Sequence, residues 1–116
     1  MEFAVSREGT TLITLHGGSD TTAREEATEQ LAAVLERLEA EGTVSAWEID
    51  DASVYEQPTA PFDPYTITLE FSITVVVEAD DADEATAIGA SAIDDVLEQA
   101  DVTPITYTSS PAASAD

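Results

Sequence analysis

The feature that most restricts the fold of this chain is a strict alternation of apolar and polar residues between positions 65 and 77. Apolar side chains occupy seven consecutive odd positions: Tyr65, Ile67, Leu69, Phe71, Ile73, Val75 and Val77. Thr, Glu and Ser fill the even positions as far as Thr74. Because successive side chains of a β-strand point to opposite faces, this period of two predicts one long strand with a buried face.

Two segments with helical periodicity can cover that face. Small and aliphatic residues recur at three- and four-residue spacing over 23–38 and again over 85–97. Thr22 and Asp81 stand where the N-caps of these helices are expected, each with a Glu three residues later. Gly89 falls on the apolar side of the second helix, which predicts a close approach to the sheet or the other helix. The predicted buried residues of that helix are Ala85, Ile88, Ala92, Val96 and Leu97.

The other strands are shorter or irregular. Residues 3–6 and 11–16 favour β-structure and flank Arg7-Glu8-Gly9-Thr10, which predicts an opening hairpin. Residues 43–56 form a further strand, and its alternation is interrupted around Asp50-Asp51. An interruption of this kind predicts a β-bulge.

The order of the elements predicts the α+β class. The last strand, 102–108, contains Pro104 and therefore fits an edge position. We expect an antiparallel sheet with two helices on one face, in a ferredoxin-like β-α-β-β-α-β order with an extra N-terminal β-hairpin strand. Residues 1–108 are expected to form a single domain and residues 109–116 a flexible tail, because the tail has little to bury.

Charge is the strongest compositional signal. The chain has 25 Asp and Glu against 3 Lys and Arg, has no lysine, and carries a net charge of -22. Carboxylates without cationic partners repel across about 10 Å at 0.1 M salt but only about 3 Å at 1 M. Concentrated salt is therefore the solvent in which such a chain folds best. In its preference for Asp, Glu, Ala, Thr and Val, and for Arg over Lys, the composition resembles that of haloarchaeal proteins in general, a likeness that identifies no family.

Composition also excludes several classes of partner and location. Three scattered arginines make no basic patch, so a nucleic-acid partner is not expected. The start of the chain lacks the basic residues and apolar run of a signal peptide, and no stretch reaches 18 apolar residues, so no membrane partner is expected. We expect a cytoplasmic protein. The 43 % hydrophobic content and its periodicity argue against an intrinsically disordered acidic segment.

One loop is a candidate ligand site. His16, Gly17, Gly18 and Ser19 lie between a predicted strand and a predicted helix, where backbone amides can hold an anion. His16 would add a proton donor near neutral pH. Asp20 and the acidic first turn of the helix oppose an anion, and no lysine offsets them. The alternative interpretation is a plain β-to-α turn.

Dedicated catalytic, cofactor and metal residues are not predicted. The chain has one histidine, no cysteine and no G-x-S-x-G pattern, so we do not expect an enzyme. Adjacent carboxylates such as Asp80-Asp81 and Asp94-Asp95 would bind K, Na, Mg or Ca ions non-specifically. The calcium-loop pattern of a dedicated site is missing.

An arm is the candidate partner contact. Tyr55, Phe62 and Tyr65 flank a segment with three prolines, between the two strands of the 43–78 hairpin. Exposed aromatic residues of this kind anchor protein interfaces, whereas the alternative is a small satellite core under the loop. The preferred hypothesis is a non-catalytic interaction or assembly protein that forms a homo-oligomer or binds another protein through its sheet and this hairpin. The alternatives are a small-molecule, anion or metal-binding regulatory domain using loop 16–20, and a structural component of an archaeal virus particle.

Overall fold

A computed structural model describes residues 1–15, 19–56, 64–100, 102 and 105–115 of the chain. Its elements, in chain order, are β1 (Glu2–Leu15), α1 (Asp20–Ala40), β2 (Ala46–Glu56), β3 (Tyr65–Glu78), α2 (Ala82–Gln99), β4 (Ile105–Tyr107) and β5 (Ala112–Ala115). Two helices and an antiparallel sheet confirm the predicted α+β class.

The long strands β1 and β3 form the centre of the sheet. They pair over their whole length, from Glu2 opposite Glu78 to Leu15 opposite Tyr65. Among the described residues the strand order is β2-β3-β1-β4, and β5 also pairs with β1. Every one of these pairings is antiparallel. The last predicted strand lies at the sheet edge, as its proline suggested, while Pro104 itself is outside the described residues.

The alternation in β3 builds the core as predicted. Its five central odd-numbered side chains are at most 3 % exposed. They join residues of both helices in one hydrophobic cluster, so α1 and α2 pack on the same face of the sheet. The helical members of this cluster are Ala23, Ala27, Leu31, Leu35, Leu38, Ala85, Ile93, Val96 and Leu97.

The buried side of α2 is centred on Gly89. A Cβ atom at this position would lie 2.5 Å from Cγ1 and Cγ2 of Val5, so the predicted close approach to the sheet is confirmed. Because the buried side is centred on Gly89, the predicted buried face of α2 is wrong at one residue. Ile88, which is about 100° around the helix from Gly89, is 40 % exposed, and Ile93 is fully buried instead.

The predicted opening hairpin is wrong. Arg7-Glu8-Gly9-Thr10 lies inside β1, which is continuous, so the fold has no extra N-terminal β-hairpin strand. Two contacts explain why these residues stay extended. Pairing with β3 continues through the whole segment. A Cβ atom on Gly9 would lie 3.2 Å from the carbonyl oxygen of Thr106, so this glycine lets β4 approach β1 closely.

The predicted bulge in β2 is confirmed. Ile49 is opposite Phe71 and Asp51 is opposite Glu70, which leaves Asp50 as the extra residue. A second irregularity between Val54 and Glu56 leaves Tyr55 unpaired. The first extra residue shifts the alternation by one position, so that Ala52 and Val54 pack against the core as Trp47 and Ile49 do before it.

The C-terminal segment differs from the expected loose tail. Residues 112–115 form β5, which pairs with Phe3–Ser6 of β1. This stretch of β1 extends beyond β4, so its outer amides and carbonyls need a strand partner. The small side chains of β5 fit that edge beside α2, and Ala113 packs against the hydrophobic core.

Candidate functional site

The structure describes only one residue of the candidate anion loop. His16, Gly17 and Gly18 lie outside the described residues, so the prediction for them stays a prediction. Ser19 is the N-cap of α1, and its Oγ accepts a hydrogen bond of 3.3 Å from the backbone N–H of Thr22. The predicted N-cap at Thr22 is therefore wrong, since the helix begins at Asp20. A serine before the first helical turn is a strong capping signal that the capping-box spacing obscured.

The structure separates the two described aromatic residues of the predicted partner contact. Tyr55 is 67 % exposed at the second irregularity of β2. Tyr65 is half-buried at the start of β3, where it is opposite Leu15 and packs against the core. Phe62 lies outside the described residues. Of this predicted cluster, Tyr55 is therefore the described side chain that is presented to solvent.

A further candidate surface is the sheet face opposite the helices, which we call the open face. It is formed by the even-numbered side chains of β1 and β3, together with their neighbours on β2 and the edge strands. None of these even-numbered side chains of β1 and β3 is buried, whereas the odd-numbered ones build the core. Apart from its carboxylates, the central part of the open face carries Ala4, Ser6, Thr10, Leu12, Thr14, Ala46, Ser53, Thr66, Thr68, Ser72, Thr74 and Val76.

Four carboxylates cross the middle of the open face in a band that we call the carboxylate belt. Ser72 has Glu8 on one side and Glu48 on the other. In the next row, Glu70 lies beside Asp51. All four carboxylate side chains are exposed.

No arginine shares the open face with the belt. Arg7 is opposite Ile73 on the helix-covered face, and Arg24 and Arg37 belong to α1. The belt therefore has no cationic side chain beside it on the open face among the described residues.

Hydroxyl groups on either side of the belt are in two different states. Ser6 Oγ and Thr74 Oγ1 share a hydrogen bond of 2.8 Å. Thr68 Oγ1 is the one buried side-chain polar atom of the described residues that lacks a hydrogen-bond partner. On both sides of the belt, the open face is thus polar and is formed largely by small hydroxyl side chains.

Both edges of the sheet are poorly suited to pairing with another strand. The β2 edge has two register shifts and carries Asp50 and Asp51 at the first of them. The opposite edge is formed by β4 and β5, which are three and four residues long. Bulges, charges and short strands are the features that prevent edge-to-edge association. The open face is therefore the better surface for contact with another molecule.

A second cluster of polar side chains lies on the helix side of the sheet. The guanidinium carbon of Arg7 is 3.8 Å from the ring centroid of Tyr107, and the Tyr107 hydroxyl donates to Oδ1 of Asp94. Burial, this hydrogen bond and the charge of Asp94 raise the pKa of Tyr107 above its usual 10.0, and Arg7 offsets part of the increase. The Tyr107 phenol therefore stays protonated near neutral pH and serves as a hydrogen-bond donor to Asp94.

This cluster borders a cavity of about 450 Å³ between α2 and β4. Asp94, Asp95 and Glu98 line it on the helix side, and Ile105 and Tyr107 line it on the strand side. The residues that the structure describes contain no group of three His, Cys, Asp or Glu side chains placed to hold a metal ion.

Neither described helix combines the length and the hydropathy needed to cross a membrane. Comparison with known proteins adds no assignment: no family model, no curated protein and no solved structure matches this chain.

Proposed function

We propose that this chain is a non-catalytic interaction module that associates with a second copy of itself through the open face of its sheet. The observation that carries the proposal is a long sheet face that neither described helix covers and whose side chains, apart from its carboxylates, are mainly small. The protected sheet edges support it, because they leave this face as the larger accessible surface. Tyr55, exposed at one end of β2, is proposed as an additional contact.

The size of the open face fits a stable dimer. The two central strands have fourteen residues each, which corresponds to a length of about 46 Å. Four strand positions at about 4.8 Å each give a width of about 19 Å. Because the outer strands are shorter, the footprint is roughly 800 Å², and a standard interface buries about 800 Å² on each partner.

The composition of the open face also suits sheet-on-sheet packing. Two sheets pack face to face at about 10 Å when their side chains are compact enough to interdigitate. The open face offers mainly Ser, Thr and Ala, with Leu12 half-buried and Val76 exposed as its larger apolar contacts. Apart from its carboxylates, the open face has few long side chains that would lose rotamer freedom on association, which lowers the entropic cost of binding.

We further propose that the protein works in the concentrated salt of a cytoplasm that accumulates ions. The support is the net charge of -22. In addition, every Asp and Glu side chain whose exposure the structure describes is exposed. Exposed carboxylates with so few cations nearby are best accommodated by dissolved ions.

We also infer that the topology is ferredoxin-like. In support, β1 lies between β3 and β4 and is antiparallel to both. One helix follows β1 and the other follows β3, which is the chain order expected of a split β-α-β arrangement. This assignment concerns the fold alone, because that topology carries many unrelated functions.

Sedimentation velocity in about 2 M KCl, where screening acts within about 3 Å, tests the proposed association. The wild-type protein is expected to change from monomer to dimer as its concentration increases. Thr74→Glu replaces a compact side chain of the open face by a long charged one and is expected to weaken the dimer, because it hinders close packing of the facing sheets and adds to the charge that the interface must desolvate.

Ala33→Glu is the matched control, since it adds the same charge at an exposed position of α1. It is expected to dimerise like the wild type. Circular dichroism establishes that both variants fold. A wild-type protein that stays monomeric at every concentration, or a Thr74→Glu variant that dimerises as well as Ala33→Glu, would contradict the proposal.

A further inference from the structure

We infer that the carboxylate belt makes association through the open face dependent on salt, so that two copies bind only where dissolved cations screen the belts. This inference rests on the proposed function. It concerns the conditions under which the second copy binds, and it requires no resident metal ion.

The belt lies at the midpoint of the open face. Glu8 is the seventh of fourteen residues in β1, and Glu70 is the sixth of fourteen in β3. On β2, Glu48 lies in the same row of the sheet as Glu8, and Asp51 lies in the same row as Glu70. A contact that uses the whole face must therefore include the belt.

Symmetry then places the two belts against each other. Homodimers are most often related by a two-fold axis, which brings the same surface of each copy together. With the axis through the middle of the open face, four carboxylates of one copy face the same four of the other, and no described arginine lies among them. A shifted arrangement that separates the belts uses about half of the face, roughly 400 Å², which is less than a stable interface needs.

The distance between packed sheets decides how strongly salt acts. Facing sheets lie about 10 Å apart, and the screening length is also about 10 Å at 0.1 M salt but only about 3 Å at 1 M. Repulsion between the belts therefore spans the interface in dilute salt and is largely screened in concentrated salt. The Ser, Thr and apolar contacts of the remaining face then determine whether the copies bind.

The test compares two variants that both change the net charge from -22 to -18, by removing four carboxylates. The belt variant combines Glu8→Gln, Glu48→Gln, Asp51→Asn and Glu70→Gln. The control variant combines Glu29→Gln, Glu36→Gln, Asp95→Asn and Glu98→Gln, all at exposed positions of the helices. The dimer dissociation constant is measured by sedimentation velocity as KCl is varied up to about 2 M, beginning at the lowest salt at which circular dichroism shows that all three proteins are folded.

The wild-type and control proteins are expected to bind at least about tenfold more weakly at the low-salt limit than in 2 M KCl, because their belts repel. The belt variant is expected to show a clearly smaller salt dependence than either, with the remainder due to its net charge of -18. A belt variant with the salt dependence of the wild type, or a wild type with the same dissociation constant throughout, would overturn this inference and leave the proposed dimer intact. Absence of dimers from all three proteins in 2 M KCl would instead refute the proposed function, and this inference with it.

Discussion

At Gly89, helix α2 lies directly on the side chain of Val5. We expect Gly89→Ala to destabilise the fold by about 1–3 kcal/mol, because the new methyl group overlaps a fully buried valine. The higher helix propensity of alanine, worth about 1 kcal/mol, offsets only part of this cost. Denaturant unfolding in concentrated KCl measures the difference.

A double-mutant cycle supplies the control for Gly89. In a Val5→Gly background the Cβ and both methyl groups of Val5 are absent, so Gly89→Ala is expected to cost less than it does in the wild type. An equal cost in both backgrounds would show that the close approach of helix and strand does not determine the effect.

The hydroxyl of Thr68 has no hydrogen-bond partner among the described residues, so at this position we expect a substitution that stabilises the fold. Valine has nearly the same shape and removes the buried polar atom, so Thr68→Val is expected to stabilise the fold by about 1 kcal/mol. Thr74→Val is the matched control, because it removes the hydroxyl that is bonded to Ser6 and is expected to give no gain. Unfolding of both variants in the same buffer compares them. A loss of stability in Thr68→Val would mean that its hydroxyl has a partner in solution.

At the scale of elements, the Tyr107 cluster joins β4 to β1 and α2. Arg7 extends from β1 across the tyrosine ring, and its Nε also donates to the carbonyl oxygen of Ser109 at 3.1 Å. Asp94 on α2 accepts a hydrogen bond from the Tyr107 hydroxyl. One side chain of a three-residue strand thus connects that strand to both of its neighbours.

The raised pKa of Tyr107 predicts how the stability changes at high pH. The folded state holds the phenolic proton more firmly than the unfolded chain does, whose pKa is near the ordinary 10.0. The stabilising contribution is therefore complete below about pH 10 and is lost as the pH rises through the higher pKa of the folded state. Between about pH 10 and 12, the wild type is expected to lose more unfolding free energy than Tyr107→Phe. Parallel loss in both proteins would show that Tyr107 contributes nothing to it.

The elements that the sequence predicted best are those whose apolar periodicity continues over many residues. β3 and both helices have apolar repeats extending over several turns or pleats, and the structure confirms all three. The opening hairpin was wrong because Arg7-Glu8-Gly9-Thr10 resembles a turn locally, whereas pairing with β3 keeps it extended. β5 has only Ala and Ser, so its pairing depends on the free edge of β1, which no local pattern reveals.

The candidate surface was predictable only in part, for a similar reason. The even-numbered residues of β3 predicted a polar face. The carboxylate belt appears only when the registers of three strands are combined, since Glu8, Glu48 and Glu70 are far apart along the chain. The Tyr107 cluster could not be predicted, because the local sequence around Arg7 predicts a turn. The role predicted for His16 in the candidate anion loop stays a prediction, because His16 lies outside the described residues.

At the scale of the whole molecule, shape and charge act together. The described part of the chain measures 55 × 25 × 21 Å and has a radius of gyration of 15.7 Å, whereas a compact domain of about this length has about 13 Å. The paired fourteen-residue strands β1 and β3 account for the long axis. An elongated shape increases the average distance between exposed carboxylates, and so reduces the self-repulsion that a compact body of equal charge would have.

Elongation does not remove that repulsion, so the folded state is expected to need salt. Carboxylates are closer together on the folded surface than in an expanded chain, and screening therefore stabilises the folded state more than the unfolded one. Between about 0.1 and 2 M KCl the unfolding free energy is expected to increase by several kcal/mol, with most of the increase below 1 M, where the screening length changes most.

Urea unfolding at a series of KCl concentrations measures this dependence, and sucrose provides the control. Sucrose also favours burial of apolar surface but screens no charge, so it is expected to reproduce only a small part of the effect. The variant carrying Glu29→Gln, Glu36→Gln, Asp95→Asn and Glu98→Gln should need less KCl than the wild type to reach the same stability, because it has fewer charges to screen. If sucrose stabilised the wild type as well as KCl does, the burial of apolar surface rather than the charge would be the reason for its salt requirement.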